Sequence, residues 1–344
     1  MRANVKFEVG KRRLERLWAR GKEFLGTEYA ILGGAMTWVS DRHLVSAISN
    51  AGGFGVIACG GMTPDLLRTE IRETAALTKK PFGVNLITLH PNLQELIDVC
   101  LEEKVTHVVL AGGLPRGDDI TKIKNGGAKV ICFSPALSLA KKLIKSGVDA
   151  LIIEGAEAGG HIGPVSTAVL AQEILPHVIS VPVFIAGGIG RGEAMASYLQ
   201  MGASGAQLGT RFVCATEANV HENFKKAFMR ASARDAILSV QLDARFPVIP
   251  VRALKNDASE KFLEFQRKTI ERFQNGDFDQ KGAQLEIEKY WVGALKRAVV
   301  DGDIENGSLM AGQSVGMVKV EQSTEEIIAE LANEAAAFLE HASR

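Results

Sequence analysis

Eight short apolar runs recur along the first two thirds of the chain, and their spacing is what most constrains the fold. They are "YAILGGAM" (29–36), "GFGVIACG" (53–60), "PFGVNLIT" (81–88), "THVVLAGG" (106–113), "AKVICFS" (128–134), "DALIIEG" (149–155), "VPVFIAGG" (181–188) and "GAQLGTRFV" (205–213). Most are rich in Val, Ile or Leu and lack clean polar–apolar alternation, as expected of strands covered on both faces. Helical stretches lie between them. "DRHLVSAISNAG" opens on Asp41, an N-cap residue type, and ends in glycine. "TPDLLRTEIRETAALT" carries Pro64 near its start and then repeats Leu66, Leu67, Ile71 and Leu77. Starts of successive runs are roughly 20 to 30 residues apart, room for a strand, a helix and two short connections. Eight such units predict an α/β protein built on a (β/α)8 TIM barrel. A doubly wound open sheet would carry GxGxxG after its first strand, and "GGAMTW" is not that fingerprint.

Past residue 217 the alternation stops. "SEKFLEFQRKTIERFQ" and "EIEKYWVGALKRAVV" read as helices with no further regular β/α unit, followed by the loop "GSLMAGQSVGMV" (307–318). Ser323 and Glu326 have capping-box spacing at the head of a terminal helix. The expected organisation is a basic, helical N-terminal extension (1–28), a barrel (29–216), a helical lid subdomain over the barrel mouth (217–320) and a C-terminal helix (321–344). The extension reads as a surface helix, because Glu8, Glu15 and Glu23 are foreign to acid-poor transit peptides.

With 40 basic and 40 acidic residues the formal net charge is zero, so nothing global argues for nucleic acid or an anionic membrane. No run of 18 apolar residues suggests a membrane span. Cys59, Cys100, Cys132 and Cys214 are widely separated and read as reduced thiols of a cytoplasmic protein. His and Cys do not cluster at metal-ligand spacing, so no metal site is expected.

In a barrel the chemistry sits at the C-terminal ends of the strands. The seventh run ends in "AGGIGRGEA" and the eighth enters "GTRF". Gly187, Gly188 and Gly190 let backbone N–H groups approach a ligand, and a helix beginning near Arg191 favours an anion. Gly209 and Thr210 add donors and a hydroxyl beside them. Two glycine-bearing turns on neighbouring strands point to a phosphate site, although each alone would serve as a tight turn. Asn85 lies inside an apolar run, where its amide bonds either a cofactor heterocycle or the neighbouring strand. Met36 is of a type that lies against a flat ring.

"EGAEAGGHIG" (154–163) leaves the sixth run directly. Gly159 and Gly160 would let the backbone lie flat against a planar ring, with His161 projecting into the mouth as a proton donor or oxyanion partner. Glu154 is a candidate to bond a cofactor amide or ribityl hydroxyl. Glu157 either orients the loop or is simply solvated.

Seven ordered segments carry a resemblance: "GAMTWVSD", "SNAGGFGVI", "KPFGVNL", "EGAEAGGHIG", "AGGIGRGEA", "GAQLGTRF" and "MAGQSVGMV". From about residue 29 to the C-terminal helix, the chain resembles the nitronate monooxygenase (formerly 2-nitropropane dioxygenase) superfamily of FMN-dependent barrels. Within that group its motifs are most similar to flavin-dependent enoyl-acyl carrier protein reductase II, of fatty acid biosynthesis. The resemblance implies FMN across the mouth, its phosphate at Gly187, Gly188, Gly209 and Thr210. It implies Met36, Asn85, Glu154, Gly159, Gly160 and Gln207 around the cofactor and His161 on its substrate side. Gln313 and Ser314 of the "AGQS" loop are implied to shape the substrate entrance. NADH or NADPH would be the co-substrate, and an enoyl thioester the acceptor, carried on acyl carrier protein if that is the partner. In that event Arg191, Arg211 and Arg245 are candidates for a basic rim. A homodimer fits the family's habit. "VVLAGGLP" and Glu154-Gly155 depart from the class I nitronate monooxygenase pattern, so the resemblance leans to the reductase. Alternatives are oxidation of alkyl nitronates by O2, and quinone reduction.

Overall fold

The protein is described here by a computed structural model covering residues 7–243 and 250–341. Each of the eight apolar runs contains one strand of a parallel barrel. These are β1 (Ile31–Gly33), β2 (Gly55–Ala58), β3 (Phe82–Ile87), β4 (His107–Ala111), β5 (Lys129–Phe133), β6 (Ala150–Glu154), β8 (Val183–Ala186) and β9 (Gly205–Leu208). A two-residue strand, β7 (Gly160–His161), lies outside the barrel. The barrel order is β1-β9-β8-β6-β5-β4-β3-β2, and a parallel bridge from Leu32 to Phe54 joins the first strand to the last. Leu32, Phe54, Val56, Ile131, Ile152 and Phe184 fill the interior. Their sequence neighbours, such as Ile31, Val130 and Ile153, pack outward under the helices. Both faces are therefore dry, which is why the runs do not alternate.

The surrounding helices are α1 (Glu8–Leu25), α2 (Arg42–Asn50), α3 (Pro64–Leu77), α4 (Leu93–Glu102), α5 (Gly117–Asn125), α6 (Leu137–Lys145), α7 (Thr167–Ile174) and α8 (Gly192–Gln200). Asp41 caps α2 through the N–H groups of His43 and Leu44, and Thr63 caps α3 ahead of Pro64. Helix α1 is more than a surface helix, because its end plugs the N-terminal end of the barrel. Leu25 joins the interior cluster, and the Phe24 carbonyl accepts from His107 Nε2 at 3.0 Å and Lys129 Nζ at 2.6 Å. A carbonyl only accepts, so His107 carries its proton on Nε2 and Nδ1 takes the Thr106 hydroxyl at 2.9 Å. Burial pushes the His107 pKa down to about 4, keeping that tautomer neutral.

After β9 a short helix, α9 (Thr210–Val213), leads into α10 (Glu222–Arg230), β10 (Ala236–Leu238), β11 (Val251–Leu254), α11 (Asp257–Gln274) and α12 (Gln280–Val299). The chain then returns through a 3-10 turn (Gln313–Met317) to α13 (Thr324–His341). The lid is thus not wholly helical, which corrects the helical subdomain expected from sequence. Strands β10 and β11 pair antiparallel, and β11 recruits β7 from the barrel rim. Helix α13 is headed by the capping box, with the Ser323 N–H on Glu326 at 2.8 Å and the Glu326 N–H on Ser323 Oγ at 3.1 Å. It lies against α1 and α8 at two glycines. A Cβ on Gly10 would fall 1.9 Å from the Ala336 oxygen, and one on Gly192 2.1 Å from the Leu331 oxygen.

Candidate active site

Three strands bring polar side chains to the inner face at the mouth. On β6, Ile153 packs outward and Ile152 inward, so alternation turns Glu154 inward. On β9, Ala206 and Leu208 pack outward, turning Gln207 inward. On β3, Val84 and Leu86 pack outward, turning Asn85 inward. The register pairs Glu154 with Ala186, and Ala186 with Gln207. Two long polar side chains therefore flank one small alanine at the same level. Burial pushes the Glu154 carboxyl up to about 8, so near neutral pH it is largely a protonated donor. The Asn85 amide donates to the Val109 carbonyl at 3.2 Å. That realises the neighbouring-strand alternative and leaves the amide oxygen for a second partner.

The two glycine turns lie beside this floor. Gly187 and Gly188 take positive φ of 91° and 73°, which a side chain rarely tolerates. A Cβ on Gly188 would press Glu157 at 3.1 Å, and one on Gly209 would stand 3.4 Å from Met36 Sδ. Met36 thus lies over the second turn. Among the described residues, the N–H groups of Gly187, Gly188 and Gly209 have no backbone acceptor. Thr210 is buried, and its oxygen accepts the Gly312 N–H at 2.9 Å, leaving the hydroxyl proton to donate elsewhere.

The loop after β6 is held by Glu157, whose carboxylate accepts both the N–H and the hydroxyl of Thr167 at 2.9 Å. Glu157 therefore orients the loop, pinning it to the start of α7. Gly159 has a different task from the one expected. A Cβ there would meet the Ala311 carbonyl carbon and the Gly312 nitrogen at 2.6 Å, so its close approach is to the "AGQS" loop. Gly160, at φ 79°, pairs with Arg252, and His161 pairs with Val251. The Arg252 guanidinium spans the junction, donating to the carbonyls of Ala156 at 2.9 Å and Ala236 at 2.6 Å. His161 is half-buried and held in a strand, not on a free loop.

Gln313 and Ser314 fall with the glycine turns. The Gln313 N–H donates to the Glu157 carbonyl at 2.9 Å, and Ser314 is buried. Their neighbour Met317 covers Gly190, where a Cβ would meet its Cε at 2.6 Å. Two residues at the mouth escaped the sequence reading. Met310 Sδ would lie 3.5 Å from a Cβ on Gly160. Trp38 sits at φ 67° and donates its indole N–H to the Val292 carbonyl of α12 at 3.3 Å, tying the barrel rim to the lid. Of the expected basic rim, Arg211 is turned inward, and Arg191 stays at the surface with its charge paired. Arg211 is buried against Gln322 and Glu330, and Arg191 pairs with Glu193 and Glu334. Arg245 lies outside the described residues.

This site can be compared with known proteins. The nitronate monooxygenase family model matches residues 19–98 and 92–334. The chain belongs to the nitronate monooxygenase family. It is 31% identical to the (3aS,4S,5R,7aS)-5-hydroxy-7a-methyl-1-oxo-octahydro-1H-indene-4-carboxyl-CoA dehydrogenase of Mycobacterium tuberculosis, over 93% of this chain and 97% of that protein. A nitronate monooxygenase of Paraburkholderia phytofirmans is also 31% identical, over 64% of this chain and 73% of its own. Among solved structures, FabK from Thermotoga maritima superposes with a TM-score of 0.84 at 38% identity, covering 94% of this chain and 98% of its own. The family's barrel is the fold described above, and its members make this chain an oxidoreductase. Among the described residues, no helix is long and apolar enough to cross a membrane.

Proposed function

We propose that this protein is an FMN-dependent oxidoreductase acting on an acyl thioester, most simply as an enoyl thioester reductase supplied by NADH or NADPH. The observation that carries the reading is the floor of the mouth. Glu154 and Gln207 stand either side of Ala186, with the open N–H groups of Gly187, Gly188 and Gly209 beside them. A planar heterocycle with a phosphate tail fits that set. The glycine turns and the Thr210 hydroxyl would hold the phosphate, and Asn85, Glu154 and Gln207 the heterocycle, with Met36 alongside. Bound there, the flavin supplies two-electron transfer between a reduced nicotinamide and the acceptor.

The chain's own part follows from what an enoyl thioester requires. Hydride addition at the β-carbon sends the double-bond electrons toward the α-carbon and the thioester oxygen, and the α-carbon then needs a proton. His161, in the strand paired with β11 at the rim, would hold the enolate oxygen or deliver that proton. A protonated Glu154 would donate a hydrogen bond to the cofactor without adding negative charge to the site. The relatives' names support a thioester, since the Mycobacterium tuberculosis protein is named for a carboxyl-CoA substrate. The match to nitronate monooxygenases favours the second reading, oxidation of an alkyl nitronate by O2 at the same site.

Turnover of crotonyl thioester in D2O tests the first reading. With NADH or NADPH as the reductant, the saturated product should carry one solvent deuterium at the α-carbon. Absence of any saturated product, with consumption of O2 on adding a nitronate, would establish the second.

A further inference from the structure

One face of the small β7–β11–β10 sheet extends from His161 into the lid. Directly opposed residues of antiparallel strands project to the same face, as do residues two apart along a strand. His161 opposes Val251, Ala253 is two residues further along β11, and Ile237 opposes Ala253. Val251, Ala253 and Ile237 line a groove of about 150 Å3, closed on the lid side by Phe262, Trp291 and Ser308, and His161 lies on the same sheet face outside that lining. The groove wall is mostly apolar, with Lys255, Asn256 and Glu260 also on it, and the Phe262 and Trp291 rings meet tilted with centroids 4.2 Å apart. Two of its residues carry an anomaly. Trp291 Nε1 and Ser308 Oγ are buried and have no hydrogen-bond partner among the described residues. Buried polar groups ordinarily find partners, and an orphan is a costly feature to retain. Indole N–H donates only, so the missing partner of Trp291 is an acceptor.

We propose that this groove binds the apolar body of the substrate thioester, a short chain or single ring carrying an acceptor oxygen that meets Trp291 Nε1 and Ser308 Oγ. The assignment rests on the thioester reading above and specifies its substrate class. The shared sheet face sets the geometry, with the reacting end at His161 and the distal end in the lid. The groove's size matches a six-membered ring or a few methylenes.

The test is calorimetric binding of saturated probes to the purified, flavin-containing protein: butyryl-CoA, hexanoyl-CoA and 5-oxohexanoyl-CoA. Burial of each added methylene tightens binding about fourfold, so hexanoyl-CoA should bind about 16-fold more tightly than butyryl-CoA. The oxo probe should stay within about threefold of hexanoyl-CoA, because its carbonyl is met by donors. In Trp291→Phe, which keeps an aromatic ring, the ratio of oxo to plain affinity should fall by about tenfold. Ala253→Phe, which fills the groove, should flatten the chain-length series. A flat series in the unaltered protein overturns the proposal without recourse to any variant. An unchanged oxo-to-plain ratio in Trp291→Phe overturns the assigned acceptor. Crotonyl thioester turnover is scored separately. A flat series with turnover removes the groove and keeps the reductase, whereas a steep series without turnover keeps the groove and removes the reductase.

Discussion

His161 and Val251 are direct partners across an antiparallel strand pair, one from the barrel rim and the other from the lid. The backbone that carries the imidazole is therefore anchored by the lid's own strand, a segment some ninety residues further along the chain. If His161 acts as proposed, its backbone position depends on the docked lid strand through that pairing. His161→Ala removes the ring while leaving the backbone ladder intact. It should retain flavin, measured by absorbance per protein, and lose about 10²- to 10⁴-fold in turnover. Full activity in this variant would exclude the role assigned to His161.

The Thr210 hydroxyl, directly after Gly209 in the chain, accepts the Gly312 N–H. Thr210→Val keeps the shape and strands that N–H. Flavin retention should fall on gel filtration, and the flavin-free protein should lose about 1–3 kcal/mol in denaturant unfolding. Unchanged flavin content would remove Thr210 from the phosphate site.

Gly159 abuts the backbone of Ala311 and Gly312, so Gly159→Ala drives a methyl into main-chain atoms that cannot yield. A Cβ on Gly117 would meet nothing within 4 Å. The first substitution should detach the "AGQS" loop, lowering Tm and exposing that loop to proteolysis, while Gly117→Ala should leave both measurements unchanged. Equal tolerance at both positions would contradict the packing.

Glu154 has a folded-state pKa of about 8, above its ordinary value. The folded protein therefore holds this proton more tightly than the unfolded chain does. The resulting stability is fully present below about pH 4.5 and is lost as pH rises toward about 8, at no more than about 1.4 kcal/mol per pH unit. Glu154→Gln stays uncharged throughout and should flatten that part of the flavin-free protein's stability profile, followed by denaturant midpoints. A parallel decline in both proteins would assign the dependence to other groups.

The barrel was legible because strands buried on both faces leave unbroken apolar runs, and each of the eight contains its strand. Local caps at Asp41 and Ser323 were legible because their partners lie within a turn. What depended on distant partners was not. Strands β10 and β11 are three and four residues long, too short for any periodicity. The reason for Gly159 lies in Ala311 and Gly312, about 150 residues away. Arg211 resembles a rim cation in sequence, yet it is buried by Glu330 of the terminal helix. Glu157 was left between two roles until Thr167 folded back onto it. No sequence signal marks Trp291 and Ser308 as sharing a groove, because α12 and its following loop meet only in the folded lid.

The central claim is that the floor around Glu154 and Gln207 holds a flavin that exchanges electrons with a nicotinamide and an acyl thioester. Anaerobic mixing of the purified protein with NADH, and separately with NADPH, tests it through the flavin absorbance band. The account predicts rapid bleaching by at least one nucleotide, followed by recovery of colour on adding an enoyl thioester. A colourless protein that takes up no FMN, or a flavin that neither nucleotide bleaches but a nitronate does, would contradict it.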